Sequence, residues 1–486
     1  MKAIKKPKLK LHMEEVLFNI EMVKIFEAFK DLPYSFYLDS SLPSKKLGRF
    51  SFIGGDPFLV FKSKGEKIEI IKNEKKTVLN GNPFKELQKL LAHFKGDLYP
   101  GKIADEKIPP FLGGGVGYFA YDMHPLVEDF TPKAPDDMNL PDCYFMFVNV
   151  VIICDHLNGK IYLASLDFGE EFKSSPKKIK ETIRSLNQKQ GSPGIHPPKA
   201  FKKTPKEPTP FIKKSKYLEK ILKAKDYISK GDIYEVCLTQ RFKTDFLGDP
   251  YRLYRHLREV NPSPFAAYLN FPEVKILSSS PERFLKLDTE GWAESRPIKG
   301  TRPRGKNELQ DKRLYQDLLN SLKDQAENMM IVDLVRNDLG KVCQNYSIKV
   351  SDLMKIEKYA TVFQMVSTIR GKLEKELNAT DLIQACFPGG SMTGAPKIRA
   401  MQIIEELEPI QRGIYSGGLG YLDFRGNIDL SMVIRTILLK GKKAYFQTGG
   451  AIVADSDPEE EWQESLDKAK ALITALGGTL PNPKKT

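Results

Sequence analysis

The fold of this chain is decided by the stretch IYSGGLGYLDFRGNIDLSMVIRTILLKGKKAYFQTGGAIVADSDPEEEWQESLDKAKALITAL (414–476). Its apolar runs between Ile414 and Ala454 are separated by short turn sequences at 425–427 and 440–442, which predicts antiparallel strands. Asp457 suits a helix cap and Pro458 a first turn, so a helix is predicted from Pro458 to about Leu476. Helices combined with a mainly antiparallel sheet predict an α+β fold.

The final helix has two distinct faces. At about 100° per residue, one stripe is apolar and is predicted to face the core: Trp462, Leu466, Ala469 and Ile473. Glu461, Glu464 and Lys468 share another face, three and four residues apart. Taken alone, this second face is typical of a solvated surface with acids near the helix N-terminus.

A second acidic pair lies upstream. One long helix is predicted from about Asn307 to Asp338, and it carries Asp324 and Glu327 three residues apart. If the two acidic helices face each other, their oxygen-rich side chains suit Mg²⁺. Each pair by itself is more typical of a solvated helix face.

Two loops, one basic and one with an acidic residue, contain candidate catalytic residues. RPIKGTRPR (296–304) sets Lys299 among arginines, whose charge would lower the lysine pKa and make a nucleophilic amine. The same pattern is also typical of a basic surface loop. Glu282, in SPERF (280–284), lies beside a predicted strand, where partial burial would raise its pKa for work as an acid.

Glycine-rich segments suggest anion binding. FPGGSMTGAPK (387–397) leads into a helix whose free N–H groups suit an anion, although it is not a P-loop and a turn that requires glycine is the alternative. Gly449 and Gly450 would let backbone N–H groups approach an anion closely, and Arg435 would grip a carboxylate. Alone, Arg435 is equally typical of a structural ion pair. A further run, Gly113–Gly117, is predicted to be a turn or bulge.

Composition excludes several classes of function. The chain has 486 residues and a formal net charge of +14. Residues 1–10 hold five lysines and no acid, and residues 196–216 hold seven lysines and one glutamate, so most of the charge lies in a tail and a linker rather than in a nucleic-acid surface. Five cysteines without paired spacing suit neither zinc nor disulfides. The longest apolar run, Phe145–Cys154, is too short for a membrane span. No nucleic-acid or membrane partner and a cytoplasmic location are expected.

The chain divides at a Pro-, Gly- and Lys-rich stretch. Residues 185–215 have no period that would bury a face, which is typical of a linker or long surface loop. We predict an N-terminal domain at 1–190, a linker at 191–210 and a C-terminal catalytic domain at 211–478. In the latter, a strand is predicted from Asp232 to Phe242.

Taken together, these segments resemble the chorismate-utilising enzymes, the family of anthranilate synthase component I and aminodeoxychorismate synthase component I. The resemblance rests on blocks in the family's order: GDIYEVCLTQRF (231–242), SSPERF (279–284), RPIKGTRPRG (296–305), AENMMIVDLVRNDLGKVC (326–343), FPGGSMTGAPKIRAM (387–401), SMVIRT (431–436) and TGGAIVADSDPEEEW (448–462). YLDSS (37–41) and GRFSFIGGDP (48–57) match more weakly.

The resemblance implies a two-lobed sandwich of antiparallel-rich sheets flanked by helices, with the active site in a central cleft. It implies Mg²⁺ bound by Glu327 and Glu464, with Asp324 and Glu461 nearby or acting through water. Glu282 resembles the acid that helps the 4-hydroxyl of chorismate leave. The substrate-binding residues it implies are Gly300, Thr301, Tyr421, Arg435, Gly449, Gly450 and Lys468.

Lys299 separates the two main branches of the family. Aminodeoxychorismate synthases have lysine in this motif, where it is proposed to attack C2 of chorismate before ammonia adds at C4; anthranilate synthases usually have alanine. The resemblance therefore implies 4-amino-4-deoxychorismate formation for 4-aminobenzoate and folate biosynthesis, with anthranilate formation for tryptophan as the alternative. Glu235 stands where many relatives have Gln and the isochorismate branch has Lys. Asp39 replaces the Glu expected of the tryptophan feedback motif.

The source of ammonia is expected to be a separate subunit. The five cysteines lie outside any Gly-x-Cys-x-Gly elbow of the kind that class I glutamine amidotransferases use. The resemblance therefore implies a glutaminase partner that supplies ammonia, or the use of free ammonium.

Overall fold

The computed structural model describes residues 9–16, 21–42, 47–95, 98–99, 108–168, 207–359 and 362–478. The α-helices of this part of the chain are α1 (Met22–Phe26), α2 (Pro83–Phe94), α3 (Lys214–Ser229), α4 (Pro250–Val260), α5 (Glu308–Leu319), α6 (Leu322–Gly340), α7 (Ala379–Cys386), α8 (Lys397–Leu407) and α9 (Pro458–Ala475). Short 3₁₀ helices lie at Tyr121–Leu126 and Gly390–Met392.

The strands are, in chain order, β1 (Leu9–Glu15), β2 (Ser35–Asp39), β3 (Phe50–Gly54), β4 (Leu59–Lys64), β5 (Lys67–Lys72), β6 (Lys75–Asn80), β7 (Leu98–Tyr99), β8 (Gly114–Phe119), β9 (Cys143–Val148), β10 (Val150–Asp155), β11 (Lys160–Asp167), β12 (Thr209–Pro210), β13 (Glu235–Asp245), β14 (Phe265–Asn270), β15 (Lys275–Ser280), β16 (Arg283–Leu287), β17 (Trp292–Arg296), β18 (Ile298–Pro303), β19 (Lys349–Lys358), β20 (Val362–Lys372), β21 (Gly394–Ala395), β22 (Gly418–Asp423), β23 (Ile428–Met432), β24 (Thr436–Lys440) and β25 (Lys443–Ile452).

These strands form two large, mainly antiparallel sheets. The first has the order β12-β13-β25-β24-β15-β14-β2-β3-β10-β11-β1-β7, with β21 paired to β13. The second has the order β18-β20-β17-β16-β23-β22-β8-β9-β4-β5-β6, with β19 paired to β20. The α+β sandwich of antiparallel sheets and flanking helices predicted from the sequence is confirmed.

The main core lies between the two sheets. Alternate residues of β10 show this, since Val151 and Ile153 belong to the apolar core that also contains Phe145 of the second sheet. Val150 and Ile152 point the other way, into a second apolar layer where helices cover the first sheet. The period-2 alternation of a strand buried on both faces therefore builds both layers at once.

Both sheets join strands from either side of the predicted linker. In the first sheet β2 pairs with β14, and in the second β8 pairs with β22. The predicted linker lies outside the described residues except at its end, where Thr209–Pro210 pair with β13. The predicted domain boundaries stay a prediction.

Several local predictions are wrong in detail. The long helix expected from Asn307 to Asp338 is two helices, because Ser321 caps α6 by accepting a hydrogen bond from the Asp324 N–H. The Gly113–Gly117 run forms most of strand β8 rather than a turn. Gly117 is needed there because a Cβ would lie 1.8 Å from the Tyr144 carbonyl oxygen.

Other boundaries move by a few residues. The strand expected from Asp232 begins at Glu235, while the final helix begins at Pro458, as predicted, with Asp457 accepting from the Glu459 and Glu460 N–H groups. The Phe145–Cys154 run is divided between β9 and β10, one in each sheet. No helix in the described ranges is long and apolar enough to cross a bilayer.

Candidate active site

Lys299 extends from β18 into a buried, charged site. Its Nζ donates a hydrogen bond to Glu235 Oε1 at 2.7 Å and lies 3.7 Å from Glu327 Oε2. Glu235 is fully buried on β13, and its second oxygen, Oε2, has no hydrogen-bond partner among the described residues. The structure therefore brings the predicted lysine to one of the predicted acids, together with a second acid from a third element.

The arginines of the same motif do not face Lys299. Each is paired with an acid elsewhere: Arg296 with Glu357, Arg302 with Asp317 and Asp324, and Arg304 with Asp311. The expectation that cations lower the pKa of Lys299 is therefore wrong. Burial works to lower this pKa, but Glu235 and Glu327 raise it above its ordinary value, so Lys299 is protonated in the free protein.

The other half of the site comes from α9. The apolar stripe of this helix is buried, as predicted. Its polar face contacts the glycines of β25, where Lys468 Nζ donates to the Gly449 carbonyl at 2.9 Å and lies 2.6 Å from Glu464 Oε1. Arg435 donates to the Lys468 carbonyl at 2.8 Å. Arg435, Gly449, Glu464 and Lys468 therefore come together as predicted.

Glu461 is the most buried acid of α9, with 3% of its surface exposed. Ser456 donates to its Oε1 at 2.7 Å, whereas Oε2 has no hydrogen-bond partner in the described parts of the chain. A Cβ added at Gly450 would lie 2.8 Å from this oxygen and 3.6 Å from Glu464 Oε1. Glycine at position 450 thus leaves the space in which both carboxylates lie beside the strand.

The pKa values of Glu461 and Glu464, both on α9, shift in opposite directions. Burial raises the pKa of Glu461, which Ser456 only partly offsets. Burial also acts to raise the pKa of Glu464, but Lys468 beside it lowers this pKa below its ordinary value. Lys299 lies 3.7 Å from Glu327 of α6, and Lys323 of α6 lies 3.7 Å from Glu461 of α9, so acids of the two helices lie near one another. We call Lys299, Glu235, Glu327, Glu461 and Glu464 the charged site.

The donor set of the charged site is compatible with Mg²⁺. In the described residues, no three or more His, Cys, Asp or Glu side chains are arranged as metal ligands. Mg²⁺ is usually bound by only one or two carboxylates, with water and substrate completing its shell. Glu327 on α6 and Glu464 on α9 are the two carboxylates predicted for this role, and that role stays a prediction. Asp324 differs, because Arg302 binds it at 3.0 Å.

Glu282 lies between β15 and β16 and is buried against the glycine-rich loop. Ser391 of that loop donates to Glu282 Oε1 at 2.7 Å. Burial raises the pKa of Glu282 to about 7, while Ser391 and Lys299 act to lower it. The expectation that burial raises this pKa is confirmed, and a carboxyl with this pKa can donate a proton near neutral pH.

The remaining predicted residues differ in their surroundings. Gly300 has φ = 84°, and a Cβ there would lie 2.9 Å from the Asp324 carboxylate, so it lies beside the site. Thr301 is exposed on β18, at the edge of its sheet. Anion binding by the glycine-rich loop stays a prediction, and Lys397 of that loop is paired with Asp338 at 2.6 Å.

Tyr421 is not brought to the charged site. It lines a cavity of about 720 Å³ between strands of both sheets, with Asp39 and Arg283 also in its wall. Its ring stacks on Phe111 at a centroid distance of 4.8 Å. We call this the large cavity. Of the predicted site residues, only Tyr421 lines it.

Three residues of the site were missed or left without a role. Tyr415, six residues before Tyr421, is buried and interacts electrostatically with Arg435. Ser391 lies in the loop that the sequence singled out for its glycines. From the sequence, Glu235 was recognised only as a departure from relatives. The signal for its role is that it is the one charged residue in the strand up to Gln240, because an acid in such a strand is buried and needs a cation.

The comparisons with known proteins agree with this geometry. A family model described as "chorismate binding enzyme" matches residues 42–474. The chain belongs to this family, and it is therefore an enzyme that uses chorismate.

The relatives come from two branches of the family. The anthranilate synthase component 1 of Aquifex aeolicus is 39% identical over 91% of this chain and 89% of its own length. The aminodeoxychorismate synthase component 1 of Bacillus subtilis is 35% identical over 90% of this chain and 91% of its own length. Among solved structures, anthranilate synthase component I from Streptococcus pneumoniae superimposes with a TM-score of 0.73 at 31% identity, covering 89% of this chain and 93% of that one.

Proposed function

We propose that this enzyme is the aminodeoxychorismate synthase subunit that converts chorismate and ammonia to 4-amino-4-deoxychorismate. The observation that carries the proposal is Lys299, whose amine lies in the buried charged site at 3.7 Å from Glu327. Lysine at this position is what the resemblance associates with the aminodeoxychorismate branch. The B. subtilis relative of that name supports the same branch.

Lys299 must lose a proton before it can attack, because its pKa is raised in the free protein. Glu235 Oε1 accepts a hydrogen bond from the Lys299 amine at 2.7 Å, so it is the group placed to take that proton. The neutral Nζ would then bond to C2 of chorismate as the C4–O bond breaks. Glu282, with its pKa of about 7, would give the departing oxygen its proton.

Ammonia would complete the exchange at C4. The ammonia nitrogen bonds to C4 while the C2–Nζ bond breaks. The electron pair of the C2–Nζ bond returns to the Lys299 nitrogen. The amine thereby replaces the hydroxyl without loss of pyruvate. The proton that ammonia loses would pass to Glu282, which is an anion after the first step, is buried, and interacts electrostatically with Lys299.

Substrate binding would use the two halves of the site. Glu327 and Glu464 would hold Mg²⁺, with Glu461 and Asp324 nearby, and the ion would supply positive charge that neutralises and orients the ring carboxylate of chorismate. Arg435, Lys468 and the Gly450 N–H would bind a carboxylate of the substrate. Tyr415, which interacts electrostatically with Arg435, would take this role in place of Tyr421.

Anthranilate synthesis is the second candidate function. The A. aeolicus and S. pneumoniae proteins support it, since both are anthranilate synthase components at more than 30% identity. The Lys299–Glu235 ion pair also favours it, because a lysine that stays protonated cannot act as a nucleophile. In either case we propose that a separate glutaminase subunit supplies the ammonia.

Product analysis distinguishes the two functions. The purified chain is incubated with chorismate, ammonium and Mg²⁺, and the products are separated and identified by mass. The proposal expects 4-amino-4-deoxychorismate, which yields 4-aminobenzoate only after a lyase is added. Fluorescent anthranilate formed together with pyruvate, without a lyase, would assign the chain to the second function.

A further inference from the structure

Lys323 lies where the acids of α6 and α9 meet. It precedes Glu327 by one helical turn on α6, and its Nζ is 3.7 Å from Glu461 Oε1 on α9. Residues four apart on a helix project from the same face. A single ammonium group thus faces acids from both helices.

Lys323 is bound less tightly than the other lysines of the site. Lys299 and Lys468 each lie within hydrogen-bond distance of a carboxylate, at 2.7 Å and 2.6 Å. The 3.7 Å contact of Lys323 is longer than a hydrogen bond, and 53% of its side chain is exposed. Charge attraction therefore holds this ammonium without fixing its position.

Glu461 needs a positive charge nearby. It is 3% exposed, and its Oε2 has no hydrogen-bond partner among the described residues. Its other oxygen accepts from the neutral Ser456 hydroxyl. A buried carboxylate is costly unless a cation compensates it, and the ion pair that Glu461 makes here is with Lys323.

Electrostatics extends this relationship to the whole set of acids. Burial lowers the pKa of Lys323, but Glu461, Glu327, Glu464 and Asp324 all act to raise it, and the net shift is upward. Its amine thus responds to the acids of both helices.

We propose that Lys323 is the exchangeable counter-ion of this site: its ammonium neutralises the acids of α6 and α9 when no divalent cation is bound, and moves into solvent when one binds. The inference rests on the Mg²⁺ site of the proposed function. Lys323 contacts Glu461 and also interacts electrostatically with Glu327 and Glu464, the proposed ligands, so the ammonium and a divalent cation bound there would repel each other at short range. Lys323 therefore weakens divalent-cation binding and stabilises the metal-free protein.

The test uses the full chain freed of metal and Mn²⁺ as the probe, with free Mn²⁺ followed by its electron paramagnetic resonance signal. We expect Lys323→Met to bind Mn²⁺ about three- to tenfold more tightly than the wild type, a modest change because the lysine is half exposed. Lys312→Met, which removes an exposed lysine from α5, is the matched control and should leave the affinity unchanged.

A second measurement distinguishes a lysine that neutralises the acids from one that has no effect on them. In EDTA, Lys323→Met should unfold at a lower temperature than the wild type, because the acids then repel one another, and Mn²⁺ should raise its Tm by more. The tighter binding should disappear in Lys323→Met combined with Glu464→Gln. Equal or weaker Mn²⁺ affinity in Lys323→Met overturns the inference.

Failure of the metal site is recognisable separately. If neither the wild type nor Lys323→Met binds Mn²⁺, the counter-ion role and the proposed metal ligands fall together. The product analysis is unaffected by that result, since it identifies the reaction by the compound formed. Mn²⁺ binding by Lys323→Met but not by the wild type would support the inference most strongly.

Discussion

The charged site and the large cavity differ in how their charges are paired. The large cavity encloses about 720 Å³, and the buried Arg283 in its wall donates two hydrogen bonds of 2.9 Å to Asp429 and one of 2.8 Å to Glu294. In the charged site, Glu235 Oε2 and Glu461 Oε2 are buried and have no hydrogen-bond partner in the part of the chain that the structure describes. The wall of the large cavity has one such oxygen, Asp39 Oδ1, on a carboxylate whose other oxygen accepts from both Arg258 and Tyr254, so these unpartnered carboxylate oxygens are more numerous in the charged site.

This difference indicates where chemistry is to be expected. Buried groups whose bonding capacity is unfilled, or whose pKa is displaced toward neutrality, are costly to maintain and are typical of reactive sites. Glu282, with its pKa raised to about 7, is a second buried acid that interacts electrostatically with Lys299 of the charged site. Removing groups from each region should therefore have very different effects on turnover.

The largest effect is expected from Lys299→Met. Loss of the amine that we propose attacks chorismate should lower kcat by roughly 10²–10⁴-fold, measured as 4-amino-4-deoxychorismate formed per minute. Lys286→Met, in the wall of the large cavity, is the matched control and should stay within about twofold of the wild type. Because Lys299→Met leaves Glu235 buried without its cation, Lys299→Met combined with Glu235→Gln should be measured as well. Unchanged turnover in a folded variant would remove Lys299 from the mechanism.

Glu282→Gln should follow, with kcat lowered by roughly 10²-fold. In the wild type, kcat should fall as pH rises through about 7, because Glu282 loses the proton that it donates. The folded protein also binds this proton more tightly than the unfolded chain, so wild-type stability should fall as pH rises from about 4.5 to about 7. Glu282→Gln should lose both dependences, whereas the exposed-surface control Glu290→Gln should keep them. A kcat that is flat across pH 7 in the wild type would argue against Glu282 as the acid.

Local sequence patterns predicted those parts of the fold that local physics determines. The cap at Asp457, the apolar stripe of α9 and the antiparallel strands of 414–454 follow from neighbouring residues alone, and each is present. The break at Ser321 was missed because the apolar period continues across it. The strand role of Gly114–Phe119 depends on close approach of β9 and β22, which no local pattern reveals.

The residues that form the site were predicted more accurately than their electrostatic interactions. The resemblance gave Lys299, Glu282, Glu327 and Glu464 by position. The predicted direction of the Lys299 pKa shift was wrong. That direction depends on which acids pair with the three arginines of the motif, and those acids are 7 to 61 residues away in the chain. Tyr415 and Tyr421 lie on one glycine-rich run, and only the fold directs them to different regions.

Gly450→Ala tests the packing of the charged site with a single methyl group. The new Cβ would lie 2.8 Å from Glu461 Oε2, so the carboxylate must move, and we expect kcat/KM for chorismate to fall by roughly ten- to a hundredfold. Gly340→Ala is the control, since its Cβ would meet only Ile348 at an ordinary 3.9 Å. Retention of full activity by Gly450→Ala would show that the position of Glu461 is unimportant.

The smallest effect on turnover is expected from Asp429→Asn in the large cavity. This change breaks the paired bonds to Arg283, while Glu294 still contacts that guanidinium at 2.8 Å, so the free energy of unfolding should fall by about 1–3 kcal/mol. Urea denaturation measures this loss, and Asp31→Asn, whose side chain is 88% exposed, should show almost none. Turnover of chorismate should stay within about twofold, because Arg283 keeps its contact with Glu294 and neither Lys299 nor Glu282 lines this cavity. A tenfold loss of turnover with little loss of stability would mean that the large cavity takes part in the reaction, and that pairing of charge does not separate the two regions.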